Sequence, residues 1–383
     1  MGENEKQANL TPEEVSRYAR HLSLPEIGLK GQEQLKNSSV ITIGTGGLGS
    51  PLLIYLAAAG IGRIGIVDFD LVEDSNLQRQ IIHTTNSIGT EKTDSAKKHL
   101  LKINPYCQID LFNEKLTKDN ALNILNGYDI ICDCSDNFPT RYLINDASTI
   151  LSKPCVYGSI AGFEGQASVF NLTKESPNYR DLIPIPPPLE LIPSCSEAGV
   201  MGILPGIIGT IQATETIKII TKIGNPLDGR LLTFNALKMS FKELTLRPNI
   251  ENKKIHQLID YDKYCSNTLP SNAKNKINFK IKSISTKDLK SLLNKQPDKI
   301  SVIDVRHLAE HLKSSIPGSK LIPLHEIENG EALEKIQEIK NDYDIYFYCK
   351  TGNRSIRAIK YLEKFGINSI NIEGGIEAWD QGK

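Results

Sequence analysis

Residues 39–68 read SVITIGTGGLGSPLLIYLAAAGIGRIGIVD, and the order of residue types in this stretch decides the fold. Ser39 to Ile43 is a short β-branched run, the pattern of a buried strand. It runs straight into Gly44-Thr45-Gly46-Gly47-Leu48-Gly49, where glycines permit a tight turn and close backbone approach. An apolar segment over 50–59 follows, closed by Gly60 in the manner of a helix C-cap. A second strand over 63–67 ends at Asp68, 21 positions after Gly47. The result is a β–α–β unit. Its turn presents bare N–H groups and a helix N-terminus to an anion, and its acid can hold ribose hydroxyls. Taken alone, this unit suits NAD as well as ATP.

Working outward, Thr11-Pro12-Glu13-Glu14 reads as a helix start, with Thr as N-cap and Glu three positions on. Further strands are expected over 108–112, 128–132, 155–157, 167–170 and 231–234, and helices over 92–101, 141–151 and 205–218. Alternating strands and helices imply an α/β fold with a doubly wound, mostly parallel sheet. The later strands have fewer helices between them and suit antiparallel pairing. Composition changes near Pro248. Residues 251–300 carry eleven Lys against five acids, and 266–278 reads as a flexible, solvated tether. A second, smaller α/β unit then begins near Ile284. The expected organisation is a first domain over 1–250, a linker over 251–283 and a second domain over 284–383.

Composition excludes several classes. With Lys+Arg at 45 and Asp+Glu at 45, the chain has no net charge to draw it to nucleic acid. Hydrophobic residues at 39% suffice for a sizeable core. Seven cysteines in 383 residues are too few for a disulfide scaffold, so a reduced, cytoplasmic protein is expected. The most apolar stretch, 52–67, contains Arg63 and is too short to span a membrane.

Beyond Asp68 come Ser75-Asn76-Leu77-Gln78-Arg79-Gln80, then Lys92, and later Asp136-Asn137 just past an expected buried strand. Two cations and an extra carboxylate at strand or loop ends suit a triphosphate with Mg²⁺, and a dehydrogenase needs no such set. The segments RYARHLSLPEIGLKGQEQLKNSSVITIGTGGLGSP, CDCSDNFPTRYLIND, EGQASVFN and CSEAGVMGILPGIIGTIQATETIK carry a specific likeness. Over about 17–247 the chain resembles the MoeB/ThiF branch of the ubiquitin-activating-type adenylyltransferases.

That resemblance implies roles. Gly44, Gly46 and Gly47 would approach the phosphates of ATP and Asp68 would hold its ribose. Ser75 and Asn137 would complete the nucleotide site. Asn76, Arg79 and Lys92 would neutralise phosphates, and Asp136 would carry Mg²⁺. Arg20 matches an arginine that such enzymes reach across a homodimer interface. Cys195, in Pro193-Ser194-Cys195-Ser196, matches a loop cysteine that takes the acyl group as a thioester or mixed disulfide. Many relatives also bind structural zinc through two Cys-x-x-Cys pairs. Here those positions read Asn178-Tyr179-Arg180-Asp181 and Asn249-Ile250-Glu251-Asn252, so no zinc is expected.

In the second unit, Cys349-Lys350-Thr351-Gly352-Asn353-Arg354-Ser355 lies between an expected strand and helix. Inward N–H groups, the helix dipole and the charges of Lys350 and Arg354 all favour a thiolate. Cys349 and Arg354 are five positions apart, one short of the tyrosine-phosphatase spacing. With VIDVRHLAEH and NIEGGIEAW, the loop instead resembles the rhodanese sulfurtransferases. Asp304 and Arg306 would organise that site or form a plain strand-end ion pair.

The two resemblances together imply ATP-dependent adenylylation of a small ubiquitin-like sulfur carrier ending in Gly-Gly. Sulfur transfer through a Cys349 persulfide to a thiocarboxylate would follow. The sulfur would come from a donor such as a cysteine desulfurase or thiosulfate and would feed molybdopterin, thiamin or tRNA thiolation. Two rival readings are an NAD-dependent oxidoreductase with a regulatory rhodanese domain and a redox-sensing scaffold.

Overall fold

The computed structural model describes residues 9–187, 199–266 and 281–381. The chain divides into two compact units, with the boundary between Leu269 and Pro270. Cys195 and most of the lysine-rich tether, 267–280, lie outside the described residues.

The first unit is built on one eight-stranded sheet in the order β3-β2-β1-β4-β5-β6-β7-β8. Its strands are β1 Ser39–Ile43, β2 Arg63–Val67, β3 Gln108–Phe112, β4 Ile130–Asp133, β5 Cys155–Ala161, β6 Glu164–Phe170, β7 Arg230–Asn235 and β8 Ser240–Thr245. The first five pair in parallel and the last four are joined antiparallel. The chain leaves β1 toward β2 and β3, then returns to lay β4 on the other side of β1. That reversal opens a crevice at the carboxyl ends of β1, β2 and β4, where Ile43 pairs with both Val67 and Asp133.

β1 is buried at four of five positions, as expected of a β-branched run inside a parallel sheet. The helix Gly49–Ala59 is apolar on nearly every side, because it lies between the sheet and the helix Leu204–Thr221. Leu52, Leu53 and Leu56 are fully buried there, each stabilising the unit by roughly 1.5–3 kcal/mol. The opposite face is packed by an aromatic cluster of Tyr142, Tyr157, Phe170 and Tyr179.

The four positions read above as lacking the cysteines of a zinc site, Asn178, Asp181, Asn249 and Asn252, converge in space. Asp181 accepts hydrogen bonds from the Asn178 and Asn249 backbones at 2.8 and 2.9 Å and from Asn252 Nδ2 at 2.7 Å. Asn178 Nδ2 donates to the Asn252 carbonyl at 2.9 Å. Beside this clip, Arg180 forms a bidentate pair with buried Asp146. The change of composition at Pro248 is not the edge of this unit. Tyr261 and Cys265, in the helix Tyr261–Ser266, are buried in the first core, and Tyr261 donates to Asp146 at 2.7 Å.

The second unit holds a parallel five-stranded sheet in the order β11-β10-β12-β13-β9. These are β9 Ser283–Ile284, β10 Ile300–Asp304, β11 Lys320–Leu321, β12 Asp344–Tyr348 and β13 Ile370–Ile372. β9, β11 and β13 are two or three residues long, too short to leave a periodic signal. Trp379 packs against β-sheet residues in a small cluster, with Lys290 over its ring at 4.7 Å. Among the described residues, no helix is long and apolar enough to cross a membrane.

Candidate functional site

The crevice is a cleft lined by the turn after β1, the ends of β2 and β4, and the segments that follow them. Its lining includes Gly44, Gly46, Gly47, Asp68, Arg79, Lys92, Asp136 and Asn137. These eight residues span 94 positions of sequence, from 44 to 137, and the topology gathers them.

The turn has little steric latitude. Gly44 sits at φ +96°, where L side chains are strained, and a Cβ there would lie 2.9 Å from the Cys134 carbonyl. A Cβ on Gly49 would stand 2.0 Å from the Gly44 carbonyl oxygen. Asp68 holds the turn: its Oδ2 accepts from Thr45 N at 2.8 Å and Thr45 Oγ1 at 2.7 Å, and its Oδ1 from Asp70 N at 3.0 Å. One carboxylate thus ties the strand end to the glycine turn and remains on the cleft wall.

Lys92 is buried and pairs with Asp70 at 2.7 Å, so its ammonium is presented at the wall rather than swinging in solvent. Arg79 Nη1 donates to the Ser75 carbonyl at 3.0 Å. Asn76 is buried and accepts from Glu73 N, holding the short turn that carries Arg79. Ser75 and Asn76 do not line the cleft, and Arg20 is exposed on the helix Ala19–Leu22, outside its lining. His83, buried behind Lys92, bonds Ser95 Oγ at 2.9 Å, and burial together with the Lys92 charge pushes its pKa down to about 4.

Asp136 is exposed at the cleft, with one long contact from Asn137 Nδ2 at 3.4 Å. Asn137 caps the helix Phe138–Leu151 through Thr140 N at 3.0 Å. Behind them Asp133 is buried, and burial pushes its carboxyl up despite hydrogen bonds from Ser135. Asp70, Gln80, Thr140, Arg141 and Ile160 also line the cleft, and sequence reasoning did not single them out. Arg141 carried a weak signal, standing five positions after Asp136 on the helix that Asn137 caps.

In the second unit Cys349 directly follows β12, is buried, and accepts from Gly352 N at 3.1 Å. Ser355 Oγ lies 3.7 Å from its sulfur. The helix Asn353–Glu363 starts here and directs its N-terminus at the loop. The sequence led to the expectation that Arg354 adds a full charge to the loop, but that charge is compensated. Glu310 holds it with two bonds of 2.7 Å. Burial opposes ionisation of Glu310, but the Arg354 bonds outweigh it and hold its pKa below the ordinary value. Asp304 is fully buried between Arg306 at 2.7 Å and His311 at 2.9 Å, and these bonds lower its pKa against the effect of burial. Lys350 pairs with Glu377 at 3.5 Å. The loop is an anion cradle made of N–H groups on a rigid frame of compensated charges.

Comparisons with known proteins agree with this division. The sequence pattern of the ThiF family matches residues 18–255, and that of the rhodanese-like domain matches 285–381. The chain is 44% identical over 376 residues to the probable adenylyltransferase/sulfurtransferase MoeZ of Mycobacterium tuberculosis, covering 97% of this chain and 94% of that protein. It is 46% identical over 265 residues to the sulfur carrier protein adenylyltransferase of Thermus thermophilus, covering 67% of this chain and 98% of that one. The crystal structure of E. coli MccB with ATP shares the fold, with a TM-score of 0.53 at 20% identity, covering 64% of this chain and 73% of that one.

Proposed function

The chain belongs to the ThiF family and continues into a rhodanese-like domain, and from this premise we propose that it activates and then thiolates a small ubiquitin-like sulfur carrier. It is an adenylyltransferase in its first unit and a sulfurtransferase in its second, as the names of its full-length relatives read. The observation that carries the reading is the pairing of a cleft built for a nucleoside triphosphate with a separate cysteine cradle.

In the first step a carboxylate oxygen of the carrier's terminal glycine attacks the α-phosphorus of ATP. The bond to the β-phosphate oxygen breaks, and pyrophosphate leaves with the electron pair. Both reactants are anionic, so the barrier is largely electrostatic. The glycine turn donates its N–H groups to the phosphates. Asp68 holds the ribose. Arg79 and Lys92 place two cations along the phosphate chain, with Lys92 already oriented by Asp70. Asp136 would hold Mg²⁺, which when bound neutralises phosphate charge. One exposed carboxylate at the cleft fits that ion's habit of binding through one or two carboxylates plus phosphates. No protein nucleophile is required in this step.

In the second step Cys349 carries sulfur as a persulfide, its anion held by Gly352 N and the helix N-terminus. The outer sulfur attacks the acyl carbon and AMP leaves. A second thiolate then attacks the Cys349 sulfur and forms a disulfide with it, as the bond to the acyl-bearing sulfur breaks and the thiocarboxylate leaves; an external thiol reductant returns both cysteines to thiols. Cys195, read above as forming a thioester or a mixed disulfide, is the cysteine we assign as that second thiolate. The sulfur donor is a cysteine desulfurase or thiosulfate. The working enzyme is a cytoplasmic homodimer in which Arg20 of each protomer completes its partner's nucleotide site.

Cys349→Ala tests the division of labour. The variant should keep carrier-dependent ATP–pyrophosphate exchange and lose thiocarboxylate, detected by mass spectrometry as replacement of one oxygen by sulfur. Undiminished thiocarboxylate formation from the same donor would refute the mechanism.

A further inference from the structure

The cleft contains a cation that the nucleotide does not account for. Arg141 is 8% exposed and lines the cleft. Its Nη2 donates to the Ser135 carbonyl at 3.2 Å. Its buried Nε makes no geometrically complete hydrogen bond, and the buried Tyr179 hydroxyl, which approaches the guanidinium and favours its charge, is a neutral group rather than an anion. The guanidinium lies against the rings of Tyr157 and Phe138 at 5.6 and 5.7 Å. Among the described residues it forms no ion pair with a carboxylate. Asp133 acts on it only at longer range, and its Oδ1 is occupied by Ser135.

A buried guanidinium without an anion is unfavourable, because aromatic faces and one carbonyl replace only part of its hydration. It cannot relieve the cost by losing its proton. Among the described residues the other buried arginines are paired, Arg306 with Asp304 and Arg354 with Glu310, and so is half-buried Arg180 with Asp146. Arg141 is therefore a site short of one anion, and it faces the reaction cleft.

Topology says which anion belongs there. β2 and β4 flank β1 on opposite sides. The β2 side carries Asp68, Arg79 and Lys92, the groups that take ribose and phosphates. Arg141 stands on the β4 side with Asp136 and Thr140, and the wall continues to Ile160 at the end of β5. The second reactant enters on that side. We propose that Arg141 binds the C-terminal carboxylate of the incoming carrier, an assignment that rests on the adenylylation reading above. One carboxylate oxygen is held by the guanidinium and the other is aimed at the α-phosphorus. After attack, the acyl carbonyl oxygen remains on Arg141. The arginine thus offsets the repulsion between two anions at the place where they must meet.

The test uses the full-length protein, the ubiquitin-like carrier ending in Gly-Gly, and the same carrier with its terminal carboxylate converted to a carboxamide. In ATP–pyrophosphate exchange, Arg141→Gln should raise KM for the carrier roughly ten- to hundred-fold, the range of a lost charge-assisted hydrogen bond, and leave KM for ATP unchanged. Arg141→Lys should recover part of the loss. In direct binding, the amidated carrier should bind wild type more weakly by a similar factor, and amidation should cost Arg141→Gln nothing further. This non-additivity separates carboxylate recognition from a structural role, and the wild-type comparison stands even if Arg141→Gln folds poorly. Equal binding of both carriers to wild type, or a rise in KM for ATP alone, would overturn the assignment while leaving adenylylation intact. Absence of any carrier-dependent exchange by wild type would refute adenylylation and this assignment with it.

Discussion

Replacing Arg180 by Met should destabilise the first unit selectively. Arg180 grips Asp146 through Nε–Oδ1 at 2.8 Å and Nη2–Oδ2 at 2.7 Å, and the two side chains are 14% and 3% exposed. Its guanidinium also lies against Tyr142 and Tyr264, 5.0 and 5.2 Å from their ring centres. Met fills similar volume, but Asp146 is left as a buried carboxylate with only Tyr261 and Asn145 as side-chain donors. Breaking one half of a buried pair costs about 3–5 kcal/mol. Adding Asp146→Asn removes the stranded charge, so the double variant should recover about 1–3 kcal/mol relative to the sum of the single changes. Urea unfolding has an internal control. Trp379 is the only tryptophan and is buried in the second unit, so its fluorescence reports that unit, whereas circular dichroism reports both. Arg180→Met should move the dichroism midpoint of the first unit and leave the tryptophan transition in place. Additive single changes, or a tryptophan transition that shifts equally, would refute the argument.

His83 should make the first unit acid-sensitive. Its pKa is about 4 when folded and about 6.5 when unfolded, so the unfolded state takes the proton first. Stability present above pH 6.5 is therefore lost as pH falls toward 4, by about 2 kcal/mol between pH 7.5 and 5. His83→Gln should flatten that slope, and an unchanged slope in urea titrations would count against it. Gly49→Ala should abolish ATP binding or unfold the unit, since its Cβ would meet the Gly44 carbonyl at 2.0 Å; wild-type affinity by equilibrium dialysis would show that the turn can yield. Asp136→Ala and Arg20→Ala should each lose exchange activity, and mixing the two proteins should restore part of it, because one hybrid site has both residues. No recovery after subunit exchange would sink the role of Arg20 across subunits.

Local sequence determined much of this protein. SVITI followed by a glycine turn, an apolar helix and an acid-ended strand is a self-contained instruction, because each step rests on contacts within thirty residues. The same holds for Cys349, whose cradle is made by the next six residues. Tertiary structure decided what depends on long sequence separation. Asp181 meets Asn249 and Asn252 across some seventy residues, and hydrogen bonds join the positions that lack cysteines. Glu310 compensates Arg354 from 44 positions away, which no charge count along the loop could show. Arg141 reads in sequence as one more helical arginine. Only the fold turns it toward the cleft, buries it against Tyr157 and withholds a carboxylate. Burial and pairing are properties of three-dimensional neighbours, and the sequence records only neighbours along the chain.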